Sequence, residues 1–330
     1  MPNQEKKVSI ITPCYNGEAY AERFFENILD QTYGNIELIF VNDGSTDRTE
    51  DIAKSYISKF EESGKELIYI YQENSGQSEA INKGLAIFDG DYLMWTDSDD
   101  ILDKENVRKK VEYLENNPKC GFVMCYGREV LESDPYVKTN DLRRVPPRGE
   151  DNLFKDLILE KNVVFTPGVY MVRREELLKA IPSKHIRNSR VGQNWQMLLP
   201  IAYNCKCGYL KEELFSYVIR DDSHSRTEKS LEDTVVKLHN HDELLNMILE
   251  DMGLGDSEYT EMLKDKLVRK EFDNGYLYKN KKYLKEKYLE LKKMGKVTKR
   301  DTLIYLAGLF PPVDVFYYCF KQAKKKYRSL

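Results

Sequence analysis

The chain has 330 residues, of which 41% are hydrophobic and 32% charged, and a net charge of −4. That length holds one large domain with an appendage, or two modest domains, and the composition excludes a disordered or fibrous protein. Six cysteines (Cys14, Cys120, Cys125, Cys205, Cys207, Cys319) form no CxxC pair and no zinc-type spacing, which leaves buried thiols in a reducing compartment.

The first hundred residues alternate strand and helix. Val8 to Thr12 reads as a buried strand, followed by a helix over Ala19 to Asp30. Ile36 to Val41 is the next strand, with a helix capped near Thr46 or Asp47. Leu67 to Tyr71, a helix over Ser78 to Phe88 and Tyr92 to Thr96 complete the run, a pattern of parallel strands with helices on both faces. A helix over Lys104 to Glu115 and a strand over Phe122 to Tyr126 follow. The charged stretch from Ser133 to Glu150 is expected to be a lid or insert. Strand-like Gly168 to Val172, a helix near Gln193 to Tyr203 and strand-like Leu214 to Ile219 close this part. Cys205 and Cys207, one residue apart, are expected to share a strand face. From about Ser230 the pattern is helical and increasingly basic. The expected domains are therefore 1–228 and a helical extension, 229–330.

Four polar clusters sit just past strand ends: residues 13–16, 42–45, 74–76 and 97–100. In an open α/β sheet those ends border the ligand crevice. Asp97 and Asp99, in Asp97-Ser98-Asp99-Asp100, can offer oxygen ligands to Mg²⁺ or Mn²⁺, which would neutralise charge on a departing diphosphate. Asp100 or Asp103 as a cap for the next helix is an equally open reading of the run. Asp43, at a strand end, can accept the ring N–H of uracil, although a plain turn and cap also account for Gly44 to Asp47. Gly76 and Gly84 permit close backbone approach, with helix packing the plainer account of Gly84.

Taken together, VSIITPCYNGEAY, IELIFVNDGSTDRTEDIA, NSGQSEAINKGLAIFDGDY and TDSDD resemble the nucleotide-sugar half of the family 2 glycosyltransferases over roughly residues 7 to 115. The resemblance implies an α/β GT-A fold: a Rossmann-like, nucleotide-sugar-binding mixed sheet flanked by helices, with the C-terminal helical extension added. It implies that Thr12, Pro13, Tyr15 and Glu18 border the nucleoside and that Asp43 contacts the base. Gly76 and Asn82 belong to the same nucleotide-binding set. Asp97 would approach the ribose or the cation, and Asp99 would coordinate Mn²⁺ or Mg²⁺.

The second half resembles the family more loosely. FTPGVYMVRREEL (165–177) looks like its acceptor-side glycine segment. RVGQNWQMLLPIAY (190–203) sits where the family has a Glu-Asp pair whose Asp is the general base, and here Gln193-Asn194 stands instead. An amide takes up no proton at neutral pH, so Asn194 can only orient an acceptor. Three readings stay open: Asp221 or Asp222 supplies the base, the donor's phosphate does, or the protein is inactive. His224 lies where the family often carries a late histidine that completes the metal or diphosphate site. Arg220 and Arg226 are placed to meet phosphate oxygens.

From Glu261 onward there are nineteen Lys/Arg against eight Asp/Glu. Beside the aromatic stretch Leu303 to Phe320 this suits peripheral contact with an anionic membrane; a helical cap on the domain is the competing reading. Pro311, Pro312 and Asp314 speak against a spanning helix, and Pro13 breaks the opening apolar run, so no secretory signal is read and a cytoplasmic protein is expected. The leading expectation is an inverting transferase of a hexosyl or N-acetylhexosaminyl group from a UDP-sugar to a bacterial surface polysaccharide (capsule or lipopolysaccharide) or a lipid-linked acceptor. A sugar-nucleotide-binding protein without turnover and a nucleotidyltransferase are the alternatives. An NAD-linked oxidoreductase is disfavoured because no G-x-G-x-x-G follows the first strand, and nucleic acid because no reading module accompanies the charge.

Overall fold

A computed structural model of the chain describes residues 5–145, 151–189, 191–220 and 230–310. The chain divides into two compact units, Met1–Ser223 and His224–Leu330. In the first, strands β1 (Val8–Cys14), β2 (Ile36–Asp43), β3 (Glu66–Gln72) and β4 (Tyr92–Trp95) alternate with helices α1 (Ala21–Leu29), α2 (Thr49–Glu62) and α3 (Gln77–Ile87). Then come β5 (Ile101–Leu102), α4 (Asn106–Asn116), β6 (Phe122–Leu131), β7 (Asp134–Leu142), α5 (Leu153–Leu159), β8 (Tyr170–Arg173), α6 (Arg174–Ala180), α7 (Gln193–Asn204) and β9 (Cys207–Ile219).

The nine strands form one sheet in the order β3-β2-β1-β4-β8-β6-β9-β5, with β7 paired to β6. The β3-β2-β1-β4 half is parallel and β6 runs parallel to β9, while β8, β7 and β5 add antiparallel pairs. The result is the mixed, helix-flanked sheet expected from the sequence.

Burial explains why the parallel half reads so plainly. All eight residues of β2 are buried, and strands covered on both faces need near-continuous apolar sequence. Helix α1 turns Phe24, Phe25 and Ile28 inward, where Phe25 packs 4.8 Å from Phe40 and 4.9 Å from Tyr56 between ring centroids. On α3, a Cβ at Gly84 would lie 2.6 Å from the Ile11 side chain, so helix packing accounts for that glycine.

Three local expectations change. Helix α2 starts at Thr49, later than expected: Asn16 Oδ1 accepts from the Thr46 N–H, and Asp47 divides its oxygens between the Glu18 N–H of the loop after β1 and the Thr49 N–H at the helix start. The stretch expected to be an insert contributes β7, an exposed edge strand carrying Lys138, a charge that discourages edge-to-edge pairing. Residues 146–150 lie outside the described residues. Cys205 ends α7 and Cys207 opens β9, so the two thiols do not share a strand. Buried Arg144 donates to Tyr209 Oη, the Asn162 carbonyl, Asp151 and Asp156, fastening the far end of the β7 segment to α5.

The second unit holds α8 (Leu231–Asp251), α9 (Glu258–Leu277), α10 (Lys281–Lys293) and α11 (Lys299–Leu309). Its core gathers Val268, Phe272, Leu284, Leu291 and Ile304. Ser230, Ser257, Asn280 and Thr298 each accept a backbone N–H as N-caps, which is why the helices begin there. Buried Glu271 accepts from Tyr283, pairs with Lys287 and meets His239. No helix among the described residues is long and apolar enough to cross a membrane. The apolar stretch beyond Phe310 and the closing lysines lie outside the described residues.

Candidate functional site

The carboxyl ends of β1, β2 and β4 are brought together by their parallel registers, and the acidic side chains stand at that rim. Asp43 ends β2. Its Oδ1 accepts from Gln72 Nε2 at 2.7 Å and the Ser75 N–H at 2.8 Å, and its Oδ2 accepts from the Gly76 N–H at 2.9 Å. A carboxylate offers about four acceptor positions, so one remains on Oδ2 for a ligand. The next residue must be glycine: Gly44 has φ +74°, and a Cβ there would lie 2.5 Å from the Asn74 nitrogen.

Past β4, oxygens of Asp97, Asp99 and Asp100 lie within 4.8 Å of one another. Burial, then the Asp99 charge, pushes Asp97 up to about 7, against a 2.7 Å hydrogen bond from Gln77 Nε2. Asp100 is raised well above the ordinary carboxylate range by burial and then by Asp97 and Asp99. Its Oδ1 accepts from the Val218 N–H at 3.0 Å, whereas its buried Oδ2 has no partner among the described residues. Three clustered carboxylates with an orphaned buried oxygen form a donor set that a hard divalent cation fits. Arginines flank the cluster: Arg23 Nη2 donates to the Asp99 carbonyl at 2.6 Å. Arg220 Nη1 lies 3.3 Å from Asp99 Oδ2, and its guanidinium covers the Tyr20 ring at 4.8 Å.

The remaining expected residues fall around this centre. Thr12 is buried, Pro13 half-buried, and Tyr15 and Glu18 are exposed on the loop after β1. Glu18 Oε2 accepts from the Arg48 N–H at 3.1 Å. Gly76 contacts Asp43 as described. Asn82 lies deeper, its amide bonded in both directions to the backbone of Ile186 and near His185 Nε2. Gln193 Nε2 donates to Gln77 Oε1 at 2.5 Å, and Asn194 Oδ1 accepts from Trp95 Nε1 at 2.9 Å, so both amides face the rim residues. Gly168, in the segment read as acceptor-side, donates its N–H to the Trp95 carbonyl at 2.7 Å and accepts from buried Lys110 at 2.5 Å. Asp221, Asp222, His224 and Arg226 lie outside the described residues.

Two participants were misjudged or missed from sequence. Asp100 caps nothing, since α4 begins at Asn106 with Glu105 as its N-cap; the D-S-D-D run itself was the signal. Gln77 carried no signal beyond its place after Gly76.

The model of the family described as glycosyl transferase family 2 matches residues 9–181, more than half of the chain. A glycosyltransferase of Rickettsia typhi is 36% identical over 140 residues, which is 42% of this chain and 41% of that one. The minor teichoic acid biosynthesis protein GgaB of Bacillus subtilis is 25% identical over 291 residues, 78% of this chain and 29% of that one. The chain thus spans well under half the length of these relatives. Among solved structures, Staphylococcus aureus TarS 1–349 in complex with UDP-GlcNAc superposes with a TM-score of 0.58 at 18% identity, over 92% of this chain and 79% of that one. That likeness bears out the GT-A arrangement of sheet and helices. With the match over residues 9–181, it follows that this chain belongs to glycosyl transferase family 2.

Proposed function

We propose that the chain transfers a hexosyl or N-acetylhexosaminyl group from a UDP-sugar to a hydroxyl of a polysaccharide or lipid-linked acceptor, with inversion. The observation that carries this reading is the convergence of Asp97, Asp99 and Asp100 at the rim that also holds Asp43. The complex of TarS with UDP-GlcNAc and the part of GgaB in minor teichoic acid biosynthesis support the donor and acceptor classes.

In this reading Asp43 accepts the uracil N–H through the free position on Oδ2, and Thr12, Pro13, Tyr15 and Glu18 border the nucleoside. Asp97 and Asp99, with His224, would hold Mn²⁺ or Mg²⁺. When bound, that cation offsets the charge gathering on the departing diphosphate. The acceptor oxygen bonds to the anomeric carbon as the bond to the diphosphate breaks, and the acceptor proton passes to a carboxylate, for which Asp222 is our candidate. Asn194 orients the acceptor. Titration calorimetry with UDP- and GDP-sugars, with and without Mn²⁺, tests the whole: cation-assisted uptake of a UDP-sugar is expected, and no uptake under any condition sinks it.

Asn194→Ala should leave donor affinity within about threefold while lowering turnover with acceptor about tenfold, the scale of one lost hydrogen bond. A hundredfold loss of donor affinity would put Asn194 in the donor site instead. Gln193-Asn194 also favours a second reading, a sugar-nucleotide-binding protein without turnover. Donor hydrolysis assayed with and without Mn²⁺ separates the two.

The C-terminal unit supports the membrane reading. Exposed Lys281, Lys282, Lys285, Leu289, Lys292 and Lys293 fall within about 120° of the α10 circumference at the helical repeat. Each lysine near an anionic leaflet contributes about 1 kcal/mol. The protein should therefore sediment with phosphatidylglycerol vesicles at low salt and be released at high salt. Equal partition onto phosphatidylcholine vesicles would rule the basic face out.

A further inference from the structure

The three residues 75–77 touch both acidic parts of the rim. The N–H groups of Ser75 and Gly76 hold Asp43, and the next side chain, Gln77, donates through Nε2 to Asp97 Oδ1 at 2.7 Å. Among the described residues this is the one side-chain hydrogen bond to the Asp97 carboxylate. Gln77 is in turn held from the other side of the crevice, where Gln193 Nε2 meets its Oε1 at 2.5 Å. The polarity of this row is dictated by chemistry. In its ionised form, the one a cation requires, Asp97 only accepts, so Gln77 must turn its NH₂ toward Asp97 and its carbonyl toward residue 193. Residue 193 must then donate. Glutamine does so, and glutamate, the residue the family resemblance leads one to expect there, has no N–H to offer.

We propose that Gln77 is a positioning residue which, oriented by Gln193, fixes the Asp97 carboxylate for the nucleotide-sugar, and that position 193 is an amide because this row requires a donor. The inference rests on the donor-site reading above. It gives Gln193 a role independent of acid–base chemistry, and it links the start of α7 to the donor side of the rim.

Gln193→Glu makes the idea testable because two effects oppose each other. Coulomb's law alone predicts that a new carboxylate beside three others tightens binding of a cation. The row predicts the reverse: Gln77 turns its NH₂ to the introduced carboxylate, presents its carbonyl to Asp97 and leaves that side chain unheld. Affinity for UDP with Mn²⁺, by calorimetry, should fall about tenfold. Gln77→Ala should cost about the same, and adding Gln193→Ala to it should cost nothing more, since Gln193 acts through Gln77. Tighter binding in Gln193→Glu, or additive losses in the double variant, overturns the proposal.

A ligand-free measurement separates the contact from the function. With ¹⁵N-labelled glutamine, the Gln77 side-chain amide signals should move in Gln193→Glu. Unmoved signals overturn the row itself. Moved signals in a protein whose wild type takes up neither UDP nor Mn²⁺ remove the donor-site reading, and the positioning role with it.

Discussion

Asp99→Ala is expected to lower donor turnover by about a thousandfold, the scale seen when one preorganised charge-stabilising group is removed from an active site. The Asp99 side chain is 27% exposed, whereas neighbouring Asp100 is buried at 3%, and among the described residues its Oδ2 meets only the long 3.3 Å contact from Arg220, which leaves it open to a ligand. The fold should not suffer. Arg23 bonds the Asp99 backbone carbonyl, a contact alanine keeps. Removing the charge also relieves Asp97 and Asp100, whose carboxyls it helps push upward, so Asp97 should titrate closer to the ordinary carboxylate range. The expected signature is lost turnover with a melting temperature unchanged or raised. Wild-type turnover in this variant would refute the cation assignment, and a fall in melting temperature would mean that Asp99 serves the fold instead.

The legibility of this protein follows the distance over which each feature is decided. Strands β1, β2 and β4 were plain because burial on both faces writes a continuous apolar run, β3 because even this half-buried outer strand keeps the run Leu67 to Tyr71, and their loops because glycine and short polar residues mark each end. Asp97, Asp99 and Asp43 stood out for the same local reason. The role of Asp100 depends on Val218, 118 residues away, and that of Gln77 on Gln193, 116 residues away; no period or spacing announces either contact. Strand β7 read as an insert because an exposed edge strand needs no apolar face. The boundaries of β9 were hidden by register shifts where β6 passes from Cys125 to Gly127. Helix α2 began later than its capping residues suggested because Thr46 and one oxygen of Asp47 bond to the loop after β1.

Asp43→Asn should weaken UDP binding about a hundredfold while sparing CDP by comparison. In the wild type, Gln72 Nε2 and the N–H groups of Ser75 and Gly76 all donate to this carboxylate, which is buried at 4% exposure. Asparagine replaces one oxygen with an NH₂. Facing Gly76, that group opposes donor to donor and leaves a half-buried N–H unmatched, at a cost of about 1–3 kcal/mol. If the amide rotates instead, Gln72 and Ser75 lose their acceptor. Either way the loop that carries Gln77 loosens, so part of the loss is shared by every nucleotide. The rest is specific to the base. A ring N–H, which uracil has, is matched by a carboxylate oxygen and repelled by an amide NH₂; cytosine presents a bare ring nitrogen at the same place and is matched by the amide. The ratio of UDP to CDP affinity, measured by calorimetry on both proteins, should therefore drop by at least about tenfold in the variant. A uniform loss for the two nucleotides would confine Asp43 to holding its loop and would take the base contact away from it.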